Sequence, residues 1–75
     1  MTLAAALKKA LSRVRDQHAA AYLQAPTARY RLIPRETSRG YTILLSVRYN
    51  REWQPWGEVD HFGIDDILCE KWEVS

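Results

Sequence analysis

A stripe of mostly apolar positions opens the chain at three- and four-residue spacing: Leu3, Ala6, Leu7, Ala10, Leu11, Val14, His18, Ala21 and Tyr22. Lys8, Lys9, Ser12, Arg13, Arg15, Asp16 and Gln17 occupy the other side, so the period predicts a long amphipathic helix over residues 3–23. Thr2 is suited to cap its start, the alanines favour helix throughout, and Pro26 ends it by turning Ala25 away from the helical region.

From Arg29 the period changes to two. Tyr30, Leu32 and Pro34 alternate with Arg29, Arg31 and Arg35, and after Thr37-Ser38-Arg39-Gly40 the residues Tyr41, Ile43, Leu45, Val47 and Tyr49 alternate with Thr42, Leu44, Ser46 and Arg48. Two antiparallel strands are predicted, with Gly40 in the turn and the odd positions 41–49 facing the core. Pro34 cannot donate to a ladder, so the first strand is expected to lie at an edge or to end there. Between Asn50 and Gly63 the prolines and glycines predict an irregular aromatic segment with at most one short strand. Asp65 or a neighbour then caps a short helix carrying Ile64, Ile67 and Leu68, and Trp72-Glu73-Val74 reads as a brief terminal strand.

This order predicts one α+β domain over residues 1–75: a long N-terminal amphipathic helix on a small antiparallel sheet, followed by a short C-terminal helix and strand. A chain that is 47% hydrophobic and 27% charged is expected to fold. Its 75 residues leave room for only one small core and exclude a large enzyme scaffold. The one cysteine, Cys69, cannot close an internal disulfide, and charged residues from Lys8 onward interrupt any signal or membrane segment. The expected location is the cytoplasm of a host cell.

Charge divides the chain. Residues 1–51 carry ten Lys/Arg against Asp16 and Glu36, a net +8, whereas residues 52–75 carry Lys71 against seven acids, a net −6. The halves can neutralise each other in one fold, pair between copies, or face different partners. Six arginines, Arg29, Arg31, Arg35, Arg39, Arg48 and Arg51, gather on and around the hairpin with Tyr30, Tyr41 and Tyr49 among them. Guanidinium groups suit phosphate and carboxylate, and aromatic rings suit bases, so this region is the candidate nucleotide or nucleic-acid face. An alternating strand with an ordinary polar outer face accounts for the same pattern. Trp53 and Trp56 flank Pro55 closely, so that either one of them lines a groove or a subunit interface, or both cap the small core.

Catalytic chemistry finds little support. His18 lies on the helical stripe, Asp60-His61 reads as a solvated turn, and neither histidine has a second ligand at zinc spacing. Cys69 stands beside Glu70, whose charge disfavours a thiolate. No phosphate loop or nucleophile motif is present, so no enzyme, catalytic residue, metal or cofactor is expected.

The residues Asp66-Ile67-Leu68 and Trp72-Glu73-Val74, preceded by Trp56 and a short spacer, resemble the C-terminal signature of a family of small phage proteins, the second Thoeris anti-defence family. The resemblance covers this terminal stretch alone. It implies a compact α+β protein that assembles as an oligomer and sequesters cyclic ADP-ribose signals made by a bacterial immune system. The expected function is therefore non-enzymatic phage anti-defence: binding of an anionic nucleotide signal at a homo-oligomer interface through Arg31, Arg48, Tyr49, Trp53 and Trp56. The alternatives are a small inhibitor that binds a host defence protein, such as a CRISPR effector, and a nucleic-acid-binding accessory protein.

Overall fold

The computed structural model describes residues 1–26 and 28–75. Helix α1 (Leu3–Asp16) starts where expected, with the Thr2 hydroxyl accepting a hydrogen bond from the Ala5 N–H at 3.2 Å. It is 14 residues long, not the predicted span to residue 23. The chain leaves the helix when His18 adopts φ 51, and the N–H groups of Gln17 and Ala19 both donate to the Arg13 carbonyl, at 3.2 and 3.1 Å. This left-handed closure is usually made by glycine, so the sequence offers no sign of it. His18 is consequently an exposed capping residue and not part of a buried helical stripe.

Five strands follow: β1 (Leu23–Gln24), β2 (Tyr30–Thr37), β3 (Gly40–Tyr49), β4 (Glu52–Glu58) and β5 (Glu73–Val74). Helix α2 (Ile64–Leu68) lies between the last two strands in sequence. The sheet order is β4-β3-β2-β1-β5, and every pairing is antiparallel. Strands β2 and β3 form the predicted hairpin, closed by the Thr37↔Gly40 pair. The Thr37 hydroxyl donates to the Gly40 carbonyl and accepts from the Arg39 N–H.

Contrary to expectation, β2 is an interior strand and continues past Pro34 to Thr37. Strand β1 pairs with it at Leu23↔Leu32, so Pro34 lies beyond the reach of β1 and its missing N–H interrupts no ladder there. The segment after Asn50 is also more regular than predicted. Asn50 (φ 49) and Arg51 (φ 66) make a two-residue turn with both backbone angles positive, which launches β4 against β3. Strand β4 tolerates Pro55 because it is an edge strand, and its extra residue, Trp56, sits between the Ser46↔Pro55 and Leu45↔Gly57 pairs as a bulge.

The core lies between α1 and one face of the sheet. Leu3, Ala6 and Ala10 of α1 pack with Ala21, Leu23, Ala25, Leu32 and Trp72, and Ile43, Leu45, Val59 and Phe62 flank them. The small alanines let the helix approach the sheet closely. Trp72 is fully buried and donates its indole N–H to the Asp66 carbonyl at 2.9 Å, which ties α2 to the core. The odd positions of β3 face the core only at its centre, since Tyr41 and Tyr49 are exposed at the ends. Gly63, not Asp65, occupies the capping position of α2, and no residue of that helix is buried. Among the described residues, no helix is long and apolar enough to cross a membrane.

Candidate functional site

Among the described residues, no helix or strand covers the sheet face opposite α1. Alternation along the paired strands places Arg31, Ile33 and Arg35 of β2 there, with Thr42, Leu44, Ser46 and Arg48 of β3 and Trp53 of β4. Tyr22 and Gln24 reach the same face from the β1 side. The guanidinium carbon of Arg31 lies 4.0 Å from the Tyr22 ring centre and 4.0 Å from the Trp53 ring centre. Its Nε donates to Gln24 Oε1 at a long 3.4 Å. Two aromatic faces therefore fix a planar cation by cation–π attraction and stacking. Ser46, directly opposite Arg31 in the ladder, leaves room for this stack and is only 5% exposed. Its hydroxyl donates to the Gln54 carbonyl beside the bulge.

Beside the stack is a shallow groove of about 280 Å³ lined by Gln24, Ala28, Arg29, Arg48 and Trp53. Arg48 is the direct cross-strand partner of Trp53. The only ion pairs among the described residues are Arg15–Asp16 and His61–Asp60, so no hairpin arginine is neutralised by the acidic C-terminal segment of its own chain. On this face Glu58 stands opposite Leu44, and Glu73 stands opposite Gln24 at the far edge. The groove can accept an anion from two guanidinium groups and pack a flat ring against indole.

The structure thus gathers Arg31, Arg48 and Trp53 of the five residues singled out from sequence. Tyr49 turns to the other face at the β3–β4 turn, and Trp56 projects from the bulge, 73% exposed, outside the groove lining. Tyr22 and Gln24 were missed. Tyr22 fits the helical stripe by spacing, and its true position depends on the early end of α1. The motif residues lie mostly elsewhere: Trp72 is core, Asp66-Ile67-Leu68 belongs to α2, and Glu73 alone borders the open face through its pairing with Gln24.

A larger depression, about 360 Å³, lies on the helix side between the sheet and the segment after β4. Asp60, His61 and Asp66 line it together with Tyr30, Leu45 and Phe62. Its charge is wrong for phosphate. The Asp60–His61 pair is fully solvated, and the 2.7 Å contact with His61 holds the Asp60 carboxyl below the ordinary carboxylate range. The Tyr30 hydroxyl oxygen is shielded from solvent and, among the described residues, lies near the Asp66 carboxyl without making a well-formed hydrogen bond. Burial pushes its ionisation above the usual phenol value, and the Asp66 carboxylate adds to the rise. No group of three His, Cys, Asp or Glu residues placed to hold a metal occurs among the described residues.

Compared with known proteins, the chain matches no family model, no curated protein and no solved structure.

Proposed function

We propose that this protein is a non-enzymatic binder of an anionic nucleotide, and that it acts by holding the nucleotide on the open face of the sheet. Arg29 and Arg48 take the phosphates, and Trp53, with its orientation set by Arg31 and Tyr22, takes the ring. The observation that carries this reading is the groove itself: arginines without acidic partners stand beside an indole braced by a cation–π sandwich. Sequestration needs affinity and no proton transfer, and the side chains lining the groove supply hydrogen-bond donors and an aromatic surface. The terminal resemblance to the second Thoeris anti-defence family supports a phage anti-defence role and narrows the nucleotide to the cyclic ADP-ribose class.

The test is a thermal-shift titration with cyclic ADP-ribose and related nucleotides, followed by heat release and mass analysis of the ligand. At a hundred times its dissociation constant a ligand adds about 2.7 kcal/mol of stability. The expected outcome is a dose-dependent shift with the nucleotide recovered intact. Recovery of a cleaved nucleotide overturns the non-enzymatic reading, and absence of any shift overturns the nucleotide. A shift produced by oligonucleotides, and lost steeply as salt rises, assigns the face to a nucleic-acid backbone instead.

A further inference from the structure

The apolar residues of α2 face water. Ile64, Ile67 and Leu68 are 73%, 54% and 72% exposed, and the acids Asp65, Asp66 and Glu70 stand among and after them. An apolar patch with a charged rim on so small a protein marks a contact surface. The whole chain exposes 5731 Å² at a mass of 8.7 kDa, where a compact monomer of that mass exposes about 4,700 Å². The excess is comparable to one partner's share of a standard interface, about 800 Å².

The matching surface lies on the same molecule. On the open sheet face Ile33 and Leu44 are half-buried cross-strand partners that no described helix or strand covers; Arg31 and Arg35 flank Ile33 along β2 without an ion-pair partner, and Glu58 stands opposite Leu44 on the β4 side. The exposed side of α1 is basic too, but its uncharged exposed residues, Ala4 and Ala5, offer little apolar area. We propose that α2 of one copy docks on the open sheet face of a second copy, with Ile64, Ile67 and Leu68 over Ile33 and Leu44 and the acidic rim against Arg35 and the outer edge of Arg31, leaving the groove at Arg29 and Arg48 open. Joining α2 to α2 would instead set Asp65, Asp66 and Glu70 against their own counterparts, and like charges in a contact repel. Since α2 packs beside α1, on the side of the sheet away from the arginine face, the contact is head to tail, and each copy uses both surfaces. This assignment does not rest on the nucleotide reading.

The head-to-tail geometry gives a test by mixing. Variant one carries Ile67→Lys and Leu68→Lys, which remove the donor surface at exposed positions. Variant two carries Arg35→Glu and Leu44→Glu, which remove the receptor surface, and circular dichroism checks that it folds. By light scattering at 10 to 100 µM, roughly the range in which weak specific contacts saturate, wild type is expected to exceed the monomer mass. Each variant alone is expected to be monomeric, and an equimolar mixture is expected to form a dimer through the one intact contact. A monomeric wild type, an oligomer that survives either set of changes, or a mixture that stays monomeric overturns the proposal. If variant two does not fold, Arg35→Glu alone serves as the receptor variant, and retention of the wild-type mass by it counts against the contact. Nucleotide thermal shifts measured on variant one report the groove separately, because its substitutions lie outside the groove.

Discussion

The guanidinium of Arg31, on β2, lies 4.0 Å from the ring centre of Trp53, on β4, two strands away across the sheet. Tyr22 closes the sandwich from the other side at the same distance. The two arginines singled out from sequence are therefore different in kind, since Arg31 is held between rings and Arg48 stands free of any ion pair at the edge of the groove.

Truncation should separate their roles. Arg48→Ala is expected to weaken nucleotide binding by about 1.5–3 kcal/mol, the range for hydrogen bonds to a charged group, with the denaturation midpoint unchanged. Arg31→Ala is expected to weaken binding and to lower stability by about 1–2 kcal/mol, as two partly shielded cation–π contacts are lost. Arg31→Lys should recover only part of that stability, because an ammonium cannot stack as a plane between two rings. Urea melts of the three variants, with calorimetric titration of ligand, decide the matter. Equal stability for Arg31→Ala and wild type would show that the sandwich contributes nothing to folding.

Trp72 should be indispensable. It is fully buried at the centre of a core made largely of alanine and leucine, and its indole N–H holds the Asp66 carbonyl. Trp72→Ala is expected to cost about 3–5 kcal/mol, against a total of roughly 4–11 kcal/mol for a domain of this length. Loss of cooperative unfolding by circular dichroism at 37 °C is the expected reading, with Trp72→Phe retaining a weakened transition.

Tyr30 carries the pH signature. Its phenol ionises at higher pH in the folded chain than in the unfolded one, chiefly through burial. The folded state therefore keeps its proton when the unfolded state has released it. The linked stability is complete below the ordinary phenol value, about 10, and is lost as pH rises from there through the raised folded-state value. Tyr30→Phe removes that alkaline slope. It also removes a buried hydroxyl that makes no well-formed hydrogen bond among the described residues, so at neutral pH the variant should be at least as stable as wild type. Urea midpoints at pH 7 and pH 10.5, each compared with wild type, test both statements.

Two turns are built from residues poorly suited to them. His18 closes α1 and Arg51 completes the β3–β4 turn, both at positive φ. His18→Gly and Arg51→Gly are each expected to stabilise the fold by about 0.5–1 kcal/mol, the steric gain exceeding the added freedom of the unfolded chain. An unchanged or lower thermal midpoint for both variants would contradict the reading of these turns as strained.

The same two turns explain what the sequence concealed. Thr2, the Thr37–Gly40 turn and the alternation of β2 and β3 carry their signals locally, and the structure follows them. Ala19 to Tyr22 continue a helical period as well as any residues in the chain, so nothing local announces that His18 stops the helix and releases Tyr22 toward Arg31. Asn50-Arg51 lacks the glycine that would mark a tight hairpin, and Pro55 and Gly57 read as breakers although an edge strand with a bulge accommodates both. Of the groove, the arginines and Trp53 were visible as residue types. Gln24 was not, because its place beside Arg31 follows from the pairing of β1 with β2 and from no motif.

The edge position of β4 limits how the molecule can grow. Pro55 removes an N–H from that edge, Trp56 interrupts its pairing as a bulge, and the opposite edge, β5, is two residues long. A further strand, whether from a partner peptide or from a misfolded copy, finds no continuous ladder to extend on either side. The long, twisted β2–β3 hairpin is thereby protected from fibril-like stacking even though its arginine face is uncovered, and any stable self-association must run through side chains and not through shared backbone hydrogen bonds.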